Sequence, residues 1–287
     1  MTPTTCAARP KAPETKARPT HAVGEAVWNR VWQHQPSNVK DEALLARELA
    51  SHRWRVVVDR VLSSFGTFQG LRTIELGAGR GDLSVLFAQR GADVTLLDCN
   101  ESALSAARKR FARLGLDARF VKGDLTDQRA AQSDHFDVSL SAGVIEHFKG
   151  ADRTTVIRTH REVLAPGGMT IISVPNSWCV PYRLWKTYLG LRGWWPYGME
   201  IPYSKGEITR RALDAGFERV ETHGLQLLQS IGDHWVKRLL GKSPHWAARS
   251  CMLDQWMGSI LLMIGWIKPN GDDATSCHSI GNTRKGK

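Results

Sequence analysis

Hydrophobic positions along this chain recur at two spacings, and the spacing changes once. From about residue 22 to 65, in EAVWNRVWQ and EALLARELASHRWRVVVDRVL, they fall three and four apart, which predicts helices. Beyond residue 66 short apolar runs take over: LRTIEL, DVTLLD, ARFVKGD, FDVSLS and MTIISV. The amphipathic stretches GDLSVLFAQRG, NESALSAARKRFARLG and DRTTVIRTHREVL separate most of them, with Asn100 as the predicted N-cap of the second and Gly115 as its stop. Strands alternating with helices predict an α/β fold, a doubly wound and mainly parallel sheet covered on both faces. Further on, SKGEITRRALDAGFERVETHGLQLL reads as a helix, a glycine turn and a strand, and GSILLMIGWIKP as the last strand. No internal repeat and no boundary after residue 66 interrupt the pattern. We therefore expect a flexible basic arm over 1–21, one domain over 22–270 and a flexible tail over 271–287.

The first strand runs into IELGAGRGDLS, where glycines stand at 77, 79 and 81 and Glu75 precedes them. Glycine serves where a chain turns tightly or lets another group approach its backbone. In a doubly wound sheet that place is beside the ligand, at the carboxyl ends of the strands. The second strand ends in Asp98, whose carboxylate can accept from both ribose hydroxyls of a nucleoside. The third leads to Asp124, placed to accept from an adenine amine. Together these describe an adenosine site. A dinucleotide would want a G-x-G-x-x-G loop for its pyrophosphate, but Asp82 stands where the third glycine belongs. Carboxylates at 75 and 82 suit a ligand that carries an ammonium and a sulfonium instead, so a dinucleotide oxidoreductase is disfavoured.

In order and spacing, IELGAGRGD, LLDCN, KGDL, FDVSLSAGVIEHF and LAPGGMTIISVPN resemble the motifs of the class I S-adenosylmethionine-dependent methyltransferases. The resemblance covers about 70 to 176 and implies a Rossmann-like sheet with S-adenosylmethionine as cofactor. It implies that Glu75, Gly77 and Gly79 border the methionine part, that Asp98 with Cys99 holds the ribose, and that Asp124 and Leu125 flank the adenine. Ser141 and Ala142, at the end of the fourth strand, would line the same pocket. Methyl transfer to oxygen needs a base, and SAGVIEHF offers Glu146 or His147, left open here. In the similar quinone O-methyltransferases a Glu-x-x-Glu-His set is associated with a divalent metal. Gly143 replaces the first of those acids, so no metal is expected.

Acceptor class follows by elimination and by composition. The Asn/Asp-Pro-Pro-aromatic sequence of base-amine methylation, the paired-glutamate loop of arginine methylation and a Pro-Cys nucleophile are all missing. The net charge of +11 is therefore weak support for nucleic acid, which is not expected as a partner. What remains resembles methyltransferases of quinone, lipid, saccharide and secondary-metabolite pathways, in O- or N-methylation. NSWCVPYRLWKTYLGLRGWWPYGMEIPYS, after the fifth strand, holds four of the 11 tryptophans and all four tyrosines. We expect residues 177–204 to cap the carboxyl ends of the strands and shape a pocket for a small or amphipathic acceptor, with peripheral membrane contact through its arginines. LLGKSPHWAARSCMLDQWMG, a second basic insertion, interrupts the final hairpin. The five cysteines form no CxxC pair and read as reduced thiols in the cytoplasm. The N-terminus has no apolar core of a secretory signal, and no apolar run reaches about 18 residues. A catalytically silent S-adenosylmethionine-binding or docking protein is the alternative to an enzyme.

Overall fold

The computed structural model describes residues 25–33, 38–125 and 135–269. The basic arm and the tail expected at the ends lie outside the described residues. The N-terminal region forms α1 (Glu25–Gln33), α2 (Asn38–Leu49) and α3 (His52–Phe65). Ser51 caps α3 by accepting from the Trp54 N–H at 3.0 Å. Then β1 (Arg72–Leu76), α4 (Asp82–Ala88), β2 (Asp93–Asp98), α5 (Glu101–Leu114), β3 (Arg119–Lys122) and β4 (Phe136–Ala142) follow in alternation. Asn100 caps α5 through Ala103 N–H at 3.0 Å, and Gly115 ends it in the left-handed conformation at φ 65°, both as the sequence predicts.

A short 3-10 turn (Ile145–His147), α6 (Asp152–Glu162) and β5 (Leu164–Pro175) come next. They are followed by α7 (Val180–Leu191), α8 (Lys205–Asp214), β6 (Arg219–Leu225) and β7 (Ile260–Trp266). The seven strands lie in the order β3-β2-β1-β4-β5-β7-β6. All neighbours pair parallel except β7, which runs antiparallel to both β5 and β6. The strand order reverses between β1 and β4, so the crevice at their carboxyl ends is the place for a ligand.

Alternation of side chains along each strand splits the core in two. Val94 and Leu96 of β2 join Val138 and Leu140 of β4 and the buried faces of α3, α4 and α5. Leu97, one residue on, joins Ile74, Leu76, Ile172 and Val174 on the other face, under α6 and α8. A sheet buried on both faces explains why its strands read as nearly continuous apolar runs.

Two long segments leave the carboxyl side. Residues 177–204 hold α7, and residues 226–259 hold α9 (Leu227–Ser230), a π-helical turn (Ile231–Val236), α10 (Lys237–Leu240) and α11 (Asp254–Met257). Asn176, at the end of β5, ties them in place: its amide donates to Trp256 O at 3.0 Å and Gly258 O at 2.8 Å. Its side-chain oxygen accepts from Trp178 N–H at 3.0 Å.

Candidate active site

Contacts within the protein would by themselves keep the glycine loop bare. Gly77 and Gly79 have φ of 67° and 54°, a conformation in which a side chain is strained. A Cβ on Gly77 would stand 2.8 Å from Val144, and one on Gly79 2.5 Å from the Trp32 ring. The protein itself presses on the loop from both sides, and Trp32 belongs to α1, far away in sequence.

Asp98 anchors this loop. One carboxylate oxygen accepts from Gly79 N–H at 2.8 Å and the other from Asn100 N–H at 2.8 Å. Its carboxylate also lines the cavity described below. Glu75 is more occupied: one of its oxygens accepts from Ser84 N–H at 2.9 Å and from Ser84 Oγ at 2.6 Å, and burial pushes its pKa up to about 7. Asp82 is also engaged, with Arg110 at 2.5 Å and Arg80 at 3.4 Å. Asp41 of α2 binds those same two arginines, so a buried ion cluster fixes the N-terminal helices to the loop.

A cavity of about 550 Å³ opens over the carboxyl ends of β1, β2, β4 and β5. Glu75, Gly77, Gly79, Asp98, Cys99, Leu125, Ala142, Glu146 and His147 all line it. The loop, the ribose carboxylate and the candidate bases therefore share one space. Two of the residues named from sequence do not reach the wall. Ser141 alternates away from Ala142, and its buried Oγ has no partner. Asp124 stands beside Leu125, half-buried, at the edge of the described chain.

The cap touches the candidate base directly. Ile201 N–H donates to Glu146 O at 2.8 Å, so the end of the cap runs beside the 3-10 turn. His147 Nδ1 lies 2.7 Å from Met199 O. A carbonyl only accepts, so Nδ1 carries the proton and Nε2 of the neutral ring keeps its lone pair. Burial lowers the pKa of His147, so the neutral ring prevails at pH 7. Trp28 of α1 stands edge-on to this imidazole, ring centroids 4.9 Å apart. Glu146 is deeply buried with no partner for Oε2, and burial, helped by the Glu200 charge, pushes its pKa up to about 8. It is a neutral carboxyl at pH 7. Glu200 itself is held by Tyr182 Oη, 3.0 Å from each oxygen, and by Lys186 Nζ at 2.9 Å. Among the described residues no group of three or more His, Cys, Asp or Glu side chains is placed to hold a metal.

The Methyltransferase domain family matches residues 74–168. Over this stretch, about a third of the chain, the sequence is similar to that methyltransferase domain. The ubiquinone biosynthesis O-methyltransferase of Cereibacter sphaeroides is 36% identical over 118 residues, 41% of this chain and 47% of the relative. That of Caulobacter vibrioides is 31% identical over 157 residues, 54% of this chain and 60% of the relative. The chain thus spans about half the length of the curated relatives it matches. Among solved structures, magnesium protoporphyrin IX methyltransferase from Synechocystis PCC 6803 shares the fold at 17% identity and a TM-score of 0.53. That match covers 85% of this chain and 94% of the other. An O-methyltransferase family protein from Burkholderia thailandensis gives 0.52 at 19% identity, over 85% and 69% of the two chains.

Beyond the methyltransferase motifs lie wall residues that sequence reasoning did not single out. Trp28, Trp32 and Arg53 come from the N-terminal helices, and Gln229 and His234 from the second insertion. Helical amphipathicity in EAVWNRVWQ marked the two tryptophans as packed, and nothing in the sequence said against what. Arg53 ion-pairs with Glu48 at 2.7 Å and donates to Ser173 Oγ at 3.1 Å, which carries it to the end of β5.

Proposed function

We propose that the chain transfers the methyl group of S-adenosylmethionine to a hydroxyl oxygen of a small-molecule acceptor with an apolar body. One observation carries this reading: a single cavity has the glycine loop with Asp98 at one wall and a neutral His147 under an aromatic cap at another. Bound S-adenosylmethionine would supply an electrophilic methyl carbon on sulfur. Asp98 would accept from its ribose hydroxyls, Leu125 would pack on its adenine, and Arg53, paired with Glu48, lies on the same wall. His147 is the base, since Nε2 is free while Met199 O fixes the proton on Nδ1. Its lowered pKa keeps it unprotonated and ready across the neutral range. Glu146 is protonated at that pH and serves as a hydrogen-bond donor to acceptor oxygen rather than as a second base.

Trp195 and Tyr197 on the cap, with Trp28 opposite, give the acceptor apolar faces. Closing them around it excludes water from the reacting carbon. The acceptor is therefore amphipathic rather than small and polar, and the proposal includes peripheral contact with a membrane. The similarity to ubiquinone biosynthesis O-methyltransferases supports an oxygen acceptor and favours an enzyme over a silent binding protein.

The test is adenosylhomocysteine formation with a panel of alkyl-substituted phenols, comparing the wild type with His147→Ala. Turnover should fall about 10²–10⁴-fold, as for loss of a general base, while affinity for S-adenosylmethionine stays within a few-fold. A His147→Ala protein with wild-type turnover would remove the base from this scheme.

A further inference from the structure

Among the described residues, Gln226 is the one non-glycine at positive φ: 69°, with ψ 34°. A residue with a Cβ avoids this left-handed conformation and holds it only where its surroundings impose it. Here they do. Ser259 Oγ donates to Gln226 O at 3.0 Å, and Leu227 N–H donates to Asp254 Oδ1 at 2.8 Å. Gly258 packs so closely that a Cβ on it would meet the Leu225 backbone. Glycine would adopt the Gln226 backbone without strain, so the strain comes with having a side chain at this position. That side chain has no task within the fold. It does not cap α9, whose first N–H is taken by Asp254. Neither Gln226 nor Gln229 hydrogen-bonds through its side-chain amide to any described residue. Both are half-buried, and both line the cavity. The π-helical turn that follows is a form that recurs at functional sites, and His234 within it lines the same wall.

The other polar groups on this wall are engaged. Ser259 holds the Gln226 carbonyl, and Ser230 Oγ accepts from Cys179 Sγ at 3.9 Å. The His234 ring packs against Tyr182 and Trp185, with centroids 6.2 and 5.5 Å apart. Among the described residues of the second insertion, no lysine or arginine lines the cavity. An uncharged amide donates and accepts at once, so this wall suits a carbonyl or hydroxyl oxygen better than an anion. Sheet order assigns the ligand. Asp98 ends β2, the candidate bases follow β4, and the glutamines follow β6, at the far edge beyond β5 and β7. In strand order the candidate bases thus stand between the glutamines and the ribose carboxylate. A group held by the glutamines belongs to the acceptor, not to the cofactor. A few fixed polar groups in a largely apolar pocket are what set the orientation of a ligand.

We propose that Gln226 and Gln229 form a subsite for a second, uncharged oxygen function of the acceptor, a carbonyl or hydroxyl other than the one methylated. That the ligand is a methyl acceptor rests on the methyl-transfer reading; its binding does not. Stability and selectivity are then opposed at Gln226, where the backbone is strained and the amide is free for a ligand.

The test is calorimetric titration of para-hexylphenol and para-hexanoylphenol into the full chain saturated with S-adenosylhomocysteine. The two phenols share a chain length and differ by one ketone oxygen. Wild type should bind the ketone about tenfold more tightly, as for hydrogen bonds between neutral groups. Gln226→Ala, Gln226→Gly and Gln229→Leu should each reduce that preference about threefold, and Gln226→Gly combined with Gln229→Leu should abolish it. Only Gln226→Gly relieves the backbone, so it alone should raise Tm, by about 2–4 °C. Equal affinity of wild type for the two phenols, or binding of neither, would overturn the subsite. So would a preference lost in Gln226→Gly but kept in Gln226→Ala, since backbone shape and not the amide would then be responsible. A Tm lowered by Gln226→Gly would likewise overturn it, by giving the side chain a role in the fold. No turnover enters these measurements. Discrimination in binding without methylation of either phenol would therefore support the subsite while removing the methyl-transfer reading.

Discussion

Replacing Asp98 with alanine probes the site where the glycine loop, the second strand and the cavity meet. The carboxylate accepts two backbone N–H groups at 2.8 Å, from Gly79 and Asn100, while remaining open to the cavity. Its removal should have two separable effects. Two ribose hydroxyls lose a charged acceptor, at about 1.5–3 kcal/mol each, so the total is about 3–6 kcal/mol, or roughly 10²–10⁴ in Kd. The two backbone donors also lose their acceptor, although water from the cavity can replace it, so the fold should lose only about 2 kcal/mol. For a domain of this size that corresponds to a fall in Tm of about 4–8 °C. Asp98→Asn keeps one oxygen acceptor and should fall between wild type and alanine in both measurements. Isothermal titration with S-adenosylmethionine reads the first effect and calorimetric melting the second. A folded Asp98→Ala protein that binds S-adenosylmethionine as tightly as wild type would refute the ribose assignment, whatever its Tm.

Glu146→Gln keeps a hydrogen-bond donor and should retain most of the turnover that Glu146→Ala loses; equal loss in both would restore Glu146 as a base. The pKa of Glu146 rises from an ordinary 4.5 to about 8 in the fold, so its contribution to stability is full below pH 4.5 and is lost as pH climbs to about 8. Melting curves of Glu146→Gln between those values should accordingly be flatter with pH than those of wild type. Trp195 lines the cavity and donates to Gly198 O at 2.9 Å, so Trp195→Ala should lower acceptor kcat/KM while cofactor affinity holds within a few-fold. Unchanged acceptor kinetics would reduce the cap to packing. Turnover should survive EDTA, because Gly143 stands at φ 72°, where a ligating side chain would be strained; loss restored by magnesium or zinc would contradict this.

What the sequence determined is local and periodic. The alternation of apolar runs with amphipathic stretches was enough for a parallel sheet covered on both faces, because a strand without a polar side cannot face water. The caps at Asn100 and Gly115 were legible because they depend on side-chain reach and on φ, not on neighbours. Motif spacing placed Asp98, Cys99, Ala142, Glu146 and His147 at strand ends, and strand ends converge in this fold. Ser141 shows the limit: one residue along a strand exchanges one face for the other, and only the register with β1 and β5 decides which side meets the cavity. Tertiary structure alone brought Trp32 against Gly79, Trp28 against His147 and Arg53 to Ser173, since each contact joins segments far apart in sequence. It also gives the two candidate bases different surroundings. Glu146 and His147 are adjacent in the chain, but the Met199 carbonyl fixes the tautomer of one while burial near Glu200 keeps the other protonated. Those partners come from the far end of the cap, and no local pattern in SAGVIEHF encodes them.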